Sequence, residues 1–253
     1  MNLLETYIVN NIINDTNNNI KMNNNATDNN EKDTNEKDTN EKVNNTKLVT
    51  RNIYGPSCGV IIIDNFYNNP IETRNFVLNQ DFSIKGNFPG QRTRSYANEQ
   101  IKDILQNYVK PFGGLITDFP CPKPENSDSS EIYNGSFQYT TSKDRSWIHT
   151  DKWNNWAGIV FLTPDAPLSS GTAFYRFYDG STCETDSQLL NNQYEIDRFN
   201  QDLTKWELID TVGNVFNRLI LFNAHNYHMS MDYFGDTKEN GRLFQVFFFS
   251  TEK

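Results

Sequence analysis

The chain has 253 residues, with 23 Lys and Arg against 32 Asp and Glu, so its formal net charge at pH 7 is -9. This balance disfavours nucleic acid as a partner, because proteins that bind it generally need a basic surface to displace counterions. Hydrophobic residues make up 36% of the chain, and no apolar run approaches the roughly 18 residues of a membrane span, so the composition predicts a globular protein without a transmembrane segment.

The first residues and the cysteines indicate the compartment. The segment MNLLETYIVNNIIND has an apolar patch but no basic stretch before it and no small-residue cleavage site, so it does not resemble a signal peptide. Cys58, Cys121 and Cys183 are odd in number, widely spaced and without a CxxC pair, which fits free thiols in a reducing environment. We therefore predict a cytoplasmic location.

Composition divides the chain near residue 48. The preceding residues are rich in Asn and contain a pentad repeat, NEKDTNEKDTNEK, from Asn30 to Lys42. Such a segment buries too little apolar surface to offset the entropy of ordering, so we predict a disordered low-complexity tail over residues 1–48. Residues 49–253 then form a single domain.

The domain begins with a predicted strand and two predicted helices. CGVIIIDNFY is a β-branched run typical of a buried strand. NPIETRNFVLNQ predicts a helix with Asn68 or Asn69 as N-cap and Pro70 at its first position. NEQIKDILQNYVKPF predicts a second helix, which we expect to end at Pro111.

The remainder of the domain is rich in predicted strands. They are EIYNGSFQYT, NWAGIVFLT, GTAFYRF, KWELIDTV, RLILFNA and RLFQVFFFS. A polar segment from Asp186 to Leu203, which we expect to be helical, interrupts them. Helices followed by short strands with turn residues between them predict an α+β chain whose second half is a jelly roll.

All three histidines of the chain lie in two short segments of this strand-rich half. His149 and Asp151 stand two residues apart in SWIHTDKWNNW, and in an extended chain their side chains share one face. The second segment, NRLILFNAHNYHMSMDYFG, contains His225 and His228 after an apolar strand. If the two segments are neighbours, they form a face of two histidines and one carboxylate, which is typical of non-haem Fe(II) sites.

A basic residue follows at the start of the last predicted strand. Arg242 lies 14 residues after His228, in GRLFQVFFFS. A guanidinium at the inner end of a strand suits a bidentate contact with a carboxylate.

These features, in this order, resemble the 2-oxoglutarate- and Fe(II)-dependent dioxygenases, particularly their prolyl-hydroxylase-like branch. That superfamily's motif is His-x-Asp, a distal His, and an Arg or Lys about ten or more residues later. The resemblance covers roughly residues 132–250. It implies a double-stranded β-helix, or jelly-roll, core with supporting N-terminal helices, which agrees with the strands predicted above.

The resemblance also implies the cofactors and the roles of individual residues. His149, Asp151 and His228 would bind Fe(II), and Arg242 would bind the far carboxylate of 2-oxoglutarate. Tyr139 would place its hydroxyl on the same carboxylate. With O2 as the other cosubstrate, the protein would hydroxylate a primary substrate and release succinate and CO2.

The distal ligand and the substrate leave alternatives open. His228 is favoured over His225 because HNYHMS places it before small residues, whereas a register shift would reverse the choice. The primary substrate is a peptide side chain, slightly favoured by the resemblance, or a small molecule. Arg92 and Arg94 follow a Pro-Gly turn, for which we expect either a solvated turn or part of a lid.

Two rival functions remain. One is a non-catalytic jelly-roll binding or structural module, and the other is a zinc hydrolase that uses the same three ligands with a metal-bound water. The hydrolase would leave Arg242 without a role and would need a general base that the sequence does not supply. No pattern identifies a protein partner or an oligomeric state.

Overall fold

A computed structural model describes residues 48–51, 59–122, 132–183 and 198–252. Two α-helices lie wholly within these ranges, α1 (Pro70–Leu78) and α2 (Glu99–Gly113). The strands are β1 (Leu48–Arg51), β2 (Val60–Ile63), β3 (Gln91–Ser95), β4 (Ile116–Asp118), β5 (Ser136–Thr140), β6 (Trp156–Phe161), β7 (Thr172–Phe177), β8 (Trp206–Val212), β9 (Leu219–Asn223), β10 (His228–Ser230) and β11 (Arg242–Thr251). Short 3-10 turns lie at Leu168–Ser170 and Leu203–Lys205.

The strands form two antiparallel sheets. The larger has eight strands in the order β1-β2-β9-β6-β11-β5-β3, with β4 paired to β11, and the smaller has the order β10-β7-β8. Neighbours in a sheet are mostly distant in sequence, as in a jelly roll, whose strands return from one sheet to the other. The predicted β-rich architecture is therefore confirmed.

Alternation of side chains along the central strands creates two cores. On β11, Leu243, Phe247 and Phe249 pack into a core that also contains buried residues of both helices. Phe244 and Val246 point the other way, into a core that includes residues of the smaller sheet. The large sheet is thus covered by helices on one face and by the small sheet on the other, which buries it on both sides.

Both helices begin where the sequence predicts, but the second ends later. Asn69 is the N-cap residue of α1, and the Asn98 side chain caps α2 by accepting a hydrogen bond from the backbone N–H of Ile101 at 2.9 Å. Pro111 lies inside the last turn of α2, where its fixed φ is compatible with the helix, and the chain leaves the helix at Gly114 with φ 81°. The expectation that Pro111 ends the helix was wrong by two residues.

Some predictions fall outside the described residues. The tail predicted over residues 1–48 lies there except for Leu48, which begins β1 and pairs with Ile63. Most of the helical segment predicted from Asp186 to Leu203 also lies outside, since the described chain resumes at Arg198.

Deleting residues 1–47 is expected to leave the melting temperature nearly unchanged. The deletion keeps the pairing of β1 with β2, and the tail has the composition of a segment that buries little apolar surface. Differential scanning calorimetry of the full and the truncated chain measures the effect. As a comparison, a deletion of residues 1–51 also removes β1 and should lower the melting temperature, so a large drop in the shorter deletion would show that the tail packs on the domain.

Candidate metal centre and cavity

Strand β10 of the small sheet and the segment that bridges to it bring the predicted histidines together. His149 and His228 form an isolated antiparallel bridge, in which each backbone N–H donates to the carbonyl of the other at 3.0 Å. Their ring centroids lie 4.4 Å apart. The backbone pairing fixes the two imidazoles on the same side of the bridge.

Asp151 completes the cluster through a further backbone contact. Its N–H donates to the carbonyl of Ala224 at 2.8 Å, so the carboxylate faces the same space as the two histidines. Nε2 of His228 lies 3.2 Å from one carboxylate oxygen and Nε2 of His149 lies 4.0 Å from the other. Ligands about 2.1 Å from one ion, at near right angles, lie about 3 Å apart, so these atoms need only small shifts to share an ion.

The hydrogen bonds of the two imidazoles select the tautomer that binds a metal. Nδ1 of His149 lies 2.9 Å from the carbonyl of Trp147, and Nδ1 of His228 lies 2.8 Å from the carbonyl of Asn226. A carbonyl can only accept, so each Nδ1 carries the proton and donates it. Each Nε2 is then left with a lone pair directed at the common space, as in metal sites whose histidines are oriented by backbone carbonyls.

The electrostatics of the cluster favour the same protonation states. Burial lowers the pKa of His149 below the ordinary histidine value, and the nearby His228 adds to this effect. Burial by itself would raise the pKa of Asp151, but the contact with His228 and the nearby His149 and Arg92 outweigh it, so the pKa lies below its ordinary value. At neutral pH a neutral His149 and an ionised Asp151 are the forms that bind a metal.

The cluster lies in the wall of a cavity of about 530 Å³ between the two sheets. Alongside the three ligands, the cavity wall includes apolar residues of β6, β9 and β11, polar residues of β5, β7 and β10, and an aromatic group near the opening. They are Ala157, Ile159, Phe222, Phe244, Val246 and Phe248; Gln138, Thr172 and Ser230; and Phe88, Tyr133, Trp147 and Trp153. Trp153 is 86% exposed, so the cavity opens at this side.

Arg242 is fully buried next to this cavity. Its Nε donates to the carbonyl of Ser170 at 2.9 Å, and its guanidinium carbon lies 4.3 Å from the ring centroid of Phe244. Nη1 has no hydrogen-bond partner, nor do the hydroxyls of Thr140, the cross-strand neighbour of Arg242, and Thr172. Arg242 does not itself line the cavity, whereas Phe244 and Thr172 do. Buried donors without a partner are costly, so these three atoms mark a place suited to an anion.

The hydroxyl of Tyr139 does not lie beside Arg242. Tyr139 precedes Thr140 on β5 and therefore faces the opposite side of the sheet, where its ring packs against Phe82 with centroids 5.1 Å apart. Its hydroxyl donates to the side-chain oxygen of Gln91 at 3.0 Å. The structure thus places Thr140, and not Tyr139, next to Arg242.

Arg92 is a further residue of the cavity wall, and the sequence did not single it out for this position. It lies on β3, a segment for which the sequence predicts a solvated turn or part of a lid, and only 8% of it is exposed. Its neighbour Arg94 is exposed, as expected of a surface residue. Arg92 and Arg94 stand two residues apart, yet one is buried and the other exposed, and the register of β3 on β5 shifts between Arg92 and Ser95. QRTRS therefore has no regular alternation that would have indicated a strand.

Neither a protein-family model nor a curated protein matches this sequence. Among solved structures, the chain is similar to HygX from Streptomyces hygroscopicus with nickel and 2-oxoglutarate bound, at a TM-score of 0.50 and 11% identity over 77% of this chain and 83% of that one. It is also similar to a prolyl hydroxylase in complex with a hypoxia inducible factor oxygen degradation domain peptide fragment from Trichoplax adhaerens, at a TM-score of 0.45 and 14% identity over 77% of this chain and 84% of that one. The likeness to HygX shows a shared fold, and the resemblance predicted from the sequence is confirmed at that level.

Proposed function

We propose that the protein is an Fe(II)- and 2-oxoglutarate-dependent oxygenase that hydroxylates a primary substrate and releases succinate and CO2. The observation that carries the proposal is the convergence of His149, Asp151 and His228 in the wall of a cavity, with both Nδ1 atoms bonded to carbonyls and both Nε2 atoms directed at one point. Two imidazoles and one carboxylate leave positions open for a bidentate cosubstrate and oxygen. The bound iron would supply the activation of O2 that hydroxylation requires.

The rest of the cavity wall favours oxidation over hydrolysis by zinc. A hydrolase needs a general base near the metal-bound water. Among the described residues of the wall, the three ligands are the only His, Asp or Glu, and no Lys or Cys occurs. An oxygenase needs no such base, and the apolar side chains of Ile159, Phe222 and Val246 are suited to excluding water from a reactive centre.

The surroundings of Arg242 fit 2-oxoglutarate. Within this proposal, the unpaired Nη1 and the hydroxyls of Thr140 and Thr172 donate to the far carboxylate of the cosubstrate. Thr172 pairs with Ser230 on β10, two residues beyond His228, so this group lies further into the roll than the metal ligands. A short dicarboxylate bound at the metal by one end would reach it with the other.

The primary substrate enters from the open side of the cavity. A volume of about 530 Å³ accommodates a side chain of a peptide or a small molecule along with the cosubstrate. The peptide side chain remains the slightly favoured choice from the sequence resemblance. The two helices take the supporting role, since buried residues of α1 and α2 pack against the face of the large sheet opposite the cavity.

Anaerobic addition of Fe(II) and 2-oxoglutarate to the protein is expected to produce a visible metal-to-ligand absorption band. The band requires a metal with open positions and a 2-oxo acid bound to it, so a binding module without a metal would not give it. Zn(II) in place of Fe(II), and succinate in place of 2-oxoglutarate, are the matched controls and should give none. Without a band the binding-module function becomes the better explanation of the cavity.

A further inference from the structure

Another buried arginine, Arg92, lies in the cavity wall, away from Arg242. The guanidinium of Arg92 stacks on Phe88, with its central carbon 3.8 Å from the ring centroid, and lies 5.8 Å from the ring of Phe248. Stacking of this kind holds the plane of a guanidinium in one orientation. The cavity therefore contains a positive charge on a fixed plane.

One hydrogen bond orients this plane further. Nε of Arg92 donates to the side-chain oxygen of Gln138, its cross-strand neighbour, at 2.6 Å. The amide nitrogen of Gln138 donates to the carbonyl of Pro89 at 2.5 Å, which fixes the amide in turn. Nη1 and Nη2 of Arg92 make no hydrogen bond within the described part of the chain.

The charge of Arg92 is balanced only in part by its surroundings. Burial lowers the pKa of Arg92 to about 10, while the carboxylate of Asp151 and the hydroxyl of Tyr133 act to raise it, so the side chain is charged at neutral pH. In the described ranges Arg92 forms no ion pair with a carboxylate. A charge that is more than nine-tenths buried, in a protein of net charge -9, is costly without an anionic partner.

Arg92 lines the cavity, and Arg242 lies next to its opposite end. Alternate residues of β11 share the cavity face, and Arg242 stacks on Phe244, whereas Arg92 lies near Phe248. Four residues of extended chain separate Phe244 from Phe248, or about 13 Å. Arg92 is thus near the mouth, with Tyr133 5.2 Å from its guanidinium carbon, and Arg242 lies at the inner end.

We propose that Arg92 binds a carboxylate group of the primary substrate through Nη1 and Nη2. This inference rests on the proposed oxygenase function and narrows its substrate to carboxylate-bearing compounds. A planar fork matches a planar carboxylate in a bidentate contact. A monoanion also matches the single charge of Arg92, whereas a phosphate dianion would bring excess negative charge next to Asp151.

The test follows the Nε–Hε signal of Arg92 by NMR during titration with acetate, with the uncharged acetamide as the matched probe. The signal is assigned by its loss in Arg92→Gln. The titration is made on protein loaded with Zn(II) and 2-oxoglutarate, and again on protein stripped of metal. Acetate is expected to shift the Arg92 signal in a saturable way in both forms, and acetamide is expected to have no effect.

Two variants sharpen the test. Arg94→Gln removes an exposed charge from the same strand and should leave the acetate affinity unchanged. Gln138→Leu keeps Arg92 but removes the acceptor that orients it, and should weaken acetate binding by roughly 3- to 10-fold. Thermal melting checks that each variant is folded.

Four results would overturn the inference. Acetate and acetamide could shift the signal equally, or acetate could leave it unmoved. The arginines on the surface could respond as strongly as Arg92, which would indicate non-specific screening. Finally, 2-oxoglutarate alone could shift the Arg92 signal and suppress the response to acetate, which would assign Arg92 to the cosubstrate. Failure of the protein to bind metal and 2-oxoglutarate would instead remove the oxygenase function, and the metal-free titration would still report on Arg92.

Discussion

His228→Ala is expected to abolish both metal retention and succinate formation. His228 is the most deeply buried of the three ligands, and its Nε2 makes the closest contact with the Asp151 carboxylate, at 3.2 Å. Loss of a residue that merely orients a ligand costs about 10- to 100-fold in metal affinity, so loss of a ligand should cost more than that. Succinate is measured with Fe(II)-loaded protein, 2-oxoglutarate and air, without any primary substrate, and bound iron is measured separately.

His225→Ala is the matched control for this experiment. His225 stands three residues earlier, in the turn before β10, is less buried than His228 and does not belong to the three-residue cluster. Its replacement should leave both bound iron and succinate formation close to those of the unmodified protein. The opposite result, in which His225→Ala is inactive and His228→Ala is active, would reverse the ligand assignment, and retention of iron by both variants would remove it.

The predictable parts of the fold are those in which apolar residues repeat with the period of the element. The helix α2 follows this rule, and the central strands β6, β9 and β11 are largely apolar because both faces of the large sheet are covered. The helix α1 buries Thr73 and Arg74 beside Val77, so its prediction depends on Asn69 and Pro70 at its start. Strand β3 does not follow the rule. Its buried positions include Arg92, Thr93 and Ser95, whose hydrogen bonds to distant residues form only after the sheet assembles. A polar strand of this kind resembles a turn in the sequence.

The residues of the candidate site also fall into those that the sequence predicts and those that it does not. His149, Asp151 and His228 could be predicted because their residue types and spacing are rare together, and the structure brings them to one point. Tyr139 could not be placed, since a shift of one residue along β5 exchanges the faces of the sheet and puts Thr140 beside Arg242. Arg92 depends on Gln138 and Phe88, which lie on other segments, so its role follows only from their positions in the fold.

Arg242→Ala is expected to raise the concentration of 2-oxoglutarate needed for half-saturation by roughly 10- to 100-fold while leaving iron bound. Hydrogen bonds to a charged group contribute about 1.5–3 kcal/mol, and the variant removes the guanidinium that has an unpaired Nη1 beside Thr140 and Thr172. Titration of the Fe(II)/2-oxoglutarate absorption band measures the cosubstrate affinity directly. Bound iron is measured on the same samples, because the ligands lie on other segments of the chain.

Since Arg242 is buried and also bonds the carbonyl of Ser170, its replacement could disturb packing as well as binding. Arg242→Lys separates the two effects, because it keeps the charge and most of the volume but loses the fork. We expect an intermediate affinity for this variant and a melting temperature near that of the unmodified protein. Arg176→Ala, which removes an arginine paired with Glu207 on the surface of the small sheet, should leave the affinity unchanged. An unaltered 2-oxoglutarate titration in folded Arg242→Ala would show that the far carboxylate binds elsewhere, and the fork of Arg92 would then be the first place to look.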